Sequence, residues 1–179
     1  MSLLHRLLQA GLGVALAFGT TAARSATAPT TGAEALHKKE CGACHTPYQA
    51  YFLPAASWEK IMTGLNKHFG ENAELSAEDQ AAITQYLVSN AADHTKNKRG
   101  ARVMSSLSGK EAPLRLTETS YIIRTHHEVP KKIFVNNPKL KSLSNCGDCH
   151  PGAAAGNYDE DAVRIPGTKN WEKDKRSAQ

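Results

Sequence analysis

The stretches Cys41-Gly42-Ala43-Cys44-His45 and Cys146-Gly147-Asp148-Cys149-His150 decide how the rest of the chain is read. Each is a C-x-x-C-H run, the attachment pattern of c-type haem. In such a run both sulfurs form thioethers to former vinyl groups. The two-residue spacer sets them along one porphyrin edge, and the adjoining His is directed at the iron. Cys41, Cys44, Cys146 and Cys149 are therefore the expected attachment points of two covalently attached haem c groups. His45 and His150 are the expected proximal ligands.

Two other chemistries use C-x-x-C. The pairs stand about a hundred residues apart and would suit a four-cysteine zinc site, or either could be a redox dithiol. A zinc site does not require His after both second cysteines, and a thioredoxin-like dithiol asks for a βαβ setting that the sequence lacks. All four cysteines lie in the two motifs, so none remains for a structural disulfide.

The 179 residues suffice for one ordinary domain or two small ones. Hydrophobic residues are 40% and aromatics only 6%. Small lobes with so thin a core usually recruit a cofactor, metal or disulfide.

The N-terminus reads as an export signal. One Arg lies in Met1–Arg6, an uncharged and mostly apolar run follows over Leu7–Phe18, and Thr20–Ala26 is small and polar. The run is shorter than the ~20 residues of a membrane span, which weighs against an uncleaved anchor. Cleavage is expected between Ala23 and Ala26. C-type haem is attached outside the bacterial cytoplasm, so the expected location is the periplasm.

Formal charge is +5; removing residues 1–25 takes away Arg6 and Arg24 and leaves +3. No arginine-rich helix or aromatic platform accompanies that charge, so nucleic acid is not an expected partner.

The expected fold is mainly α, with two small haem-binding lobes. After a signal peptide (1–25), the first lobe covers 26–93. A short helix over Ala33–Cys44 leads into the first motif, and Tyr48–Pro54 is an aromatic loop. An amphipathic helix follows over about Ala55–Phe69, with Trp58, Ile61, Leu65 and His68 on one face and Gly70 ending it. Ser76 opens another helix, with Asp79 in the capping-box position and Ile83, Tyr86, Leu87 and Asn90 inward. This is a reduced class I cytochrome c plan. Residues 94–118, rich in charge, Ser, Gly and Pro, read as a linker. The second lobe, 119–167, is irregular with short helices: Ser120–Val129, stopped by Pro130, and about Pro138 to the motif. Residues 168–179 read as a flexible tail.

The sixth ligands decide the chemistry, since an open iron binds gases or peroxide and a closed one is restricted to electron transfer. For the first haem His68 is favoured over Met62, which reads as core packing. For the second the candidates are His126, His127, His94 and Met104. His126 and His127 point about 100° apart on a helix, so one alone can face the haem. His126 shares an apolar stripe with Ile122 and Val129 and is favoured. His94 reads as solvated, Met104 as packing and His37 as a solvent-facing helix residue. Arg99, Arg102, Arg124, Arg164 and the tyrosines are candidate partners of the haem propionates.

With these residues in place, the chain resembles the dihaem cytochrome c family of purple bacteria from about Glu40 to Pro166. The resemblance rests on CGACH, LPAASWEKIM, HFGENAEL, YLVSNAAD, LTETSYIIRTHHE, NCGDCH and NYDEDAVRIPG, in that order. It implies two bis-histidine haems, with His68 and His126 as the sixth ligands. It also implies an oxygen-binding monohaem cytochrome of the sphaeroides haem protein type as acceptor, and membrane b-type cytochromes as donors.

The expected function is that of a periplasmic one-electron carrier between redox proteins, with no small-molecule substrate at iron and no enzymatic activity. The alternatives are a small electron-transfer subunit of a larger reductase and a dihaem peroxidase-like enzyme, for which the chain is short.

Overall fold

A computed structural model describes residues 30–107, 112–129, 133, 137–140 and 142–168. The expected signal peptide and most of the tail lie outside these residues, as does Pro130. The described residues form α-helices and 3₁₀ turns and no β-strand.

Helix α1 spans Thr30–Cys41, and so begins earlier and ends earlier than the spacing predicts. Ala33 and His37, one turn apart, are both buried. The His37 ring lies 5.6 Å from that of Tyr86. Its near-complete burial corrects the solvent-facing reading. The helix ends on the first cysteine of the motif. A Cβ at Gly42 would stand 2.3 Å from the Lys38 carbonyl oxygen, so only glycine fits that turn.

Helix α2 spans Ala55–Thr63 and buries Ala55, Ser57, Trp58 and Met62. The Asp93 carboxylate accepts the Ala55 N–H at 2.9 Å, capping the helix from a distant part of the chain. The predicted extension to Phe69 does not form. The chain closes at Gly64, whose N–H donates to Ile61 O, and a 3₁₀ turn follows over Leu65–Lys67. Glycine has little helix propensity, and this one releases the backbone six residues early. Phe69 and Gly70 then take positive φ (54° and 105°), so Gly70 belongs to the turn after His68.

Helix α3 spans Ala77–Ser89. Ser76 Oγ accepts the Asp79 N–H at 3.1 Å, the expected cap. Ile83 and Leu87 are fully buried. Helices α1 and α2 both pack on α3, so the first motif is held at the end of a three-helix unit.

The stretch 94–118, expected as a linker, contains helix α4, Lys98–Ser106, capped by Asn97. Val103 is 0% exposed and joins the same hydrophobic core as Trp58, Ile83 and Leu87; Leu116 and Tyr121 join it too. The polar composition hid a helix with only a narrow buried stripe, Gly100 and Val103.

Helix α5 spans Ser120–Thr125 and places His126 at its C-cap, short of the predicted Val129. No helix forms over the described residues between Pro138 and the second motif. Turns precede it, and 3₁₀ turns occupy Cys146–Asp148, Ala153–Ala155 and Glu160–Ala162.

Candidate functional site

The first site is built at the end of α1. Cys41 is its last residue, and the His45 N–H donates back to Cys41 O at 3.4 Å. This compact turn holds the motif at the C-terminal end of α1. His45 Nδ1 lies 2.7 Å from Thr46 O, which fixes Nδ1 as the protonated nitrogen and frees Nε2. The 3₁₀ turn and the kinked backbone after it bring His68 opposite. The His45 and His68 ring centres are 6.2 Å apart, with planes at 15°. Burial, then His45 and Arg115, lower the pKa of His68, favouring the neutral imidazole that a metal requires. Phe69 flanks His68, and the Arg115 guanidinium lies 4.2 Å over the Phe69 ring. Met62, the rival ligand, is buried in the core.

The second site forms where the Cys146–Asp148 turn meets the end of α5. His150 N–H donates to Cys146 O at 2.8 Å, closing the second motif. The His126 and His150 ring centres are 6.1 Å apart, with planes at 86°. His126 Nδ1 is 2.9 Å from Ile122 O, again leaving Nε2 free. His150 is different, since its buried Nδ1 has no hydrogen-bond partner. Burial, then His126 and Arg99, lower the pKa of His150. His127 is exposed, and its Nδ1 lies 2.6 Å from Arg124 O; the structure pairs His126 with His150. His94 is exposed and Met104 half-buried, neither of them in a histidine pair.

Do these residues fit two haems? A transition metal holds an imidazole nitrogen at about 2.0–2.1 Å, so two imidazoles on opposite sides of one metal have ring centres roughly 6.3 Å apart. The separations of 6.2 and 6.1 Å match. Phe69, a large exposed hydrophobic, lies against the His68 ring, an apolar surface a porphyrin would suit. The rival chemistries do not fit. Burial pushes the Cys41 and Cys146 thiols up to about 11, the reverse of an activated dithiol. Among the described residues no three His, Cys, Asp or Glu side chains converge as a zinc site needs.

A family model for dihaem cytochrome c matches residues 37–158. The chain belongs to the dihaem cytochrome c family. Its members carry two covalently attached haem c groups, and this chain is a cytochrome electron carrier with the same two groups. Its structure is similar to a dihaem cytochrome c from Shewanella baltica OS155 at 37% identity and a TM-score of 0.63, covering 78% of this chain and 98% of that one. It is similar to a dihaem cytochrome c from Rhodobacter sphaeroides at 40% identity and a TM-score of 0.62, covering 69% and 95%. Among curated proteins none matches significantly.

Sequence reasoning missed the residues that join the two sites. Thr46, Tyr48 and Gln49, directly after the first motif, hydrogen-bond to the segment around the second. Tyr158 packs on His150 and donates to Gln49. In the sequence Tyr48 and Tyr158 read only as candidate propionate partners, and for Thr46 and Gln49 the one signal is adjacency to His45.

Proposed function

We propose that this dihaem cytochrome c is a periplasmic one-electron carrier with both irons closed by histidine pairs, His45 with His68 and His126 with His150. Cys41, Cys44, Cys146 and Cys149 attach the porphyrins. The observation that carries this reading is the pair of imidazole separations, 6.2 and 6.1 Å, each of which suits one metal between two rings. Haem iron, cycling between ferric and ferrous, supplies the redox chemistry. The chain supplies four imidazoles, of which His45 and His126 are oriented by carbonyl acceptors on their Nδ1 atoms. With both sixth positions closed, no substrate, gas or peroxide reaches iron, and the protein is not an enzyme. Its partners are other redox proteins, an oxygen-binding monohaem cytochrome and a membrane b-type donor among them, met in small, weak encounters. The apolar leader over Leu7–Phe18 and the attachment chemistry support export.

The test is the absorption spectrum of the purified protein, oxidised, dithionite-reduced, and reduced under carbon monoxide. Two low-spin haems that ignore carbon monoxide are expected. Ready binding of carbon monoxide at either haem refutes histidine closure at that site. Recovery of the haem protein in spheroplasts rather than in the periplasmic fraction refutes the location.

A further inference from the structure

The two attachment motifs are a hundred residues apart in sequence, yet one short segment holds both. Thr46 directly follows His45, and its Oγ1 accepts the Gly147 N–H, inside the second motif, at 2.8 Å. The Tyr48 ring lies 5.1 Å from that of His45. Its hydroxyl donates to Ser144 O at 2.8 Å, two residues before Cys146. Gln49 Nε2 donates to Ala153 O at 2.7 Å, three residues after His150. Tyr158, whose ring lies 5.5 Å from that of His150, returns the contact by donating its hydroxyl to Gln49 Oε1 at 2.8 Å. The second motif is thus gripped before, within and after its own sequence by three residues out of four that follow the first.

The grip is polar and partly buried, a combination that sets position sharply. Thr46 is buried and Tyr48 and Gln49 are half-buried. Both phenols act as donors, Tyr48 to Ser144 O and Tyr158 to Gln49 Oε1. A buried donor or acceptor left without its partner is costly, so these bonds hold one arrangement against sliding. Gly147 is also matched to Thr46: a Cβ there would stand 3.2 Å from Thr46 Oγ1.

We infer that Thr46 and Tyr48 are positioning residues that set the spacing of the two haem-attachment motifs, and through it the rate of electron exchange between the haems. This rests on the reading of the protein as an electron carrier with two histidine-closed haems. Electron exchange falls steeply with separation, so a seam that cannot slide keeps the exchange fast and independent of motion between the lobes. Neither residue touches an iron or exchanges electrons itself.

The test uses the full holoprotein with Thr46→Val, Tyr48→Phe, the double variant and Thr46→Ser. Each keeps the shape and removes, or in the last case restores, a hydrogen bond. One haem is photoreduced and equilibration with the other is followed, alongside the two reduction potentials and the carbon monoxide spectrum. The double variant is expected to equilibrate several-fold more slowly at unchanged potentials, with both haems low-spin and inert to carbon monoxide. Thr46→Ser should retain the parent rate. A parent rate in the double variant overturns the proposal. So does loss of low-spin ligation in the variants, which would show these residues holding the ligands and not the spacing. Carbon monoxide binding by the parent protein itself would instead refute the histidine closure on which the proposal rests.

Discussion

The imidazole planes of His126 and His150 stand at 86° to one another, while those of His45 and His68 are within 15° of parallel. Both pairs have nearly the same separation, so the sites differ in orientation and not in span. Parallel imidazoles split the two iron d orbitals that interact with the ligand π systems; perpendicular ones leave them nearly equal in energy. The fully oxidised protein is therefore expected to give two distinct low-spin signals in electron paramagnetic resonance. One should be rhombic and the other strongly anisotropic with a large maximal g value. His68→Ala should remove the rhombic signal and leave the other. Two identical rhombic signals would mean that the planes of the second pair are not perpendicular when haem is bound.

Ligand replacement separates the paired histidines from their neighbours. His68→Ala should open the first haem to carbon monoxide and leave the second closed; His126→Ala should do the converse. His127→Ala should leave both closed, because His127 is exposed and the ring that lies 6.1 Å from His150 is that of His126. The change in the reduced Soret band under carbon monoxide reads each outcome. Binding by the His127→Ala protein would reverse the assignment at the second site.

How much of this was legible in the chain depends on the range of the interaction. The motifs, the Ser76 cap and the pairing of His68 with the first motif follow from local spacing and from the need of each lobe to present a ligand. The early end of α2 at Gly64 was not legible, because the stripe Trp58, Ile61, Leu65 and His68 continues across the break. His68 reaches its partner through a 3₁₀ turn and a residue at positive φ, not on a continuous helix. Helix α4 was hidden because its value lies in two residues, Gly100 pressed near Tyr51 O and Val103 in the core, amid charged neighbours. The seam of Thr46, Tyr48 and Gln49 is formed entirely with residues about a hundred positions away, and no periodicity records such contacts.

Gly42 offers a direct test of the turn that presents the first motif. Its replacement by Ala would place a Cβ 2.3 Å from Lys38 O, a backbone atom that cannot rotate aside. The helix end or the motif must shift, and overpacking of this kind costs about 1–3 kcal/mol. Gly42→Ala is expected to lower the midpoint of guanidinium unfolding accordingly and to reduce haem loading at the first motif. Gly32→Ala, in α1 with nothing within 4 Å, is the control and should hold or raise the midpoint, Ala being the better helix former, and leave haem loading unchanged. Equal stability of the two variants would show that the turn can relax around a side chain.

His37 makes stability depend on pH in a defined direction. It is 3% exposed, and burial, then His45, lowers its pKa from 6.5 to about 4, against an opposing effect of Glu34 and with a lesser further depression by Lys38. The unfolded chain therefore binds a proton at this residue between pH 6.5 and about 4 that the folded chain does not. Its contribution is fully present above pH 6.5 and is lost as pH falls through about 4. The full shift corresponds to roughly 3 kcal/mol as an upper figure. His37→Phe keeps a flat ring against Tyr86 and carries no proton. The difference in unfolding free energy between parent and variant should shift toward the variant as pH falls from 7 to 4, by a few kcal/mol at most. A difference that stays constant over that range would show that His37 charges in the folded protein without penalty, through an opening of the contact between α1 and α3.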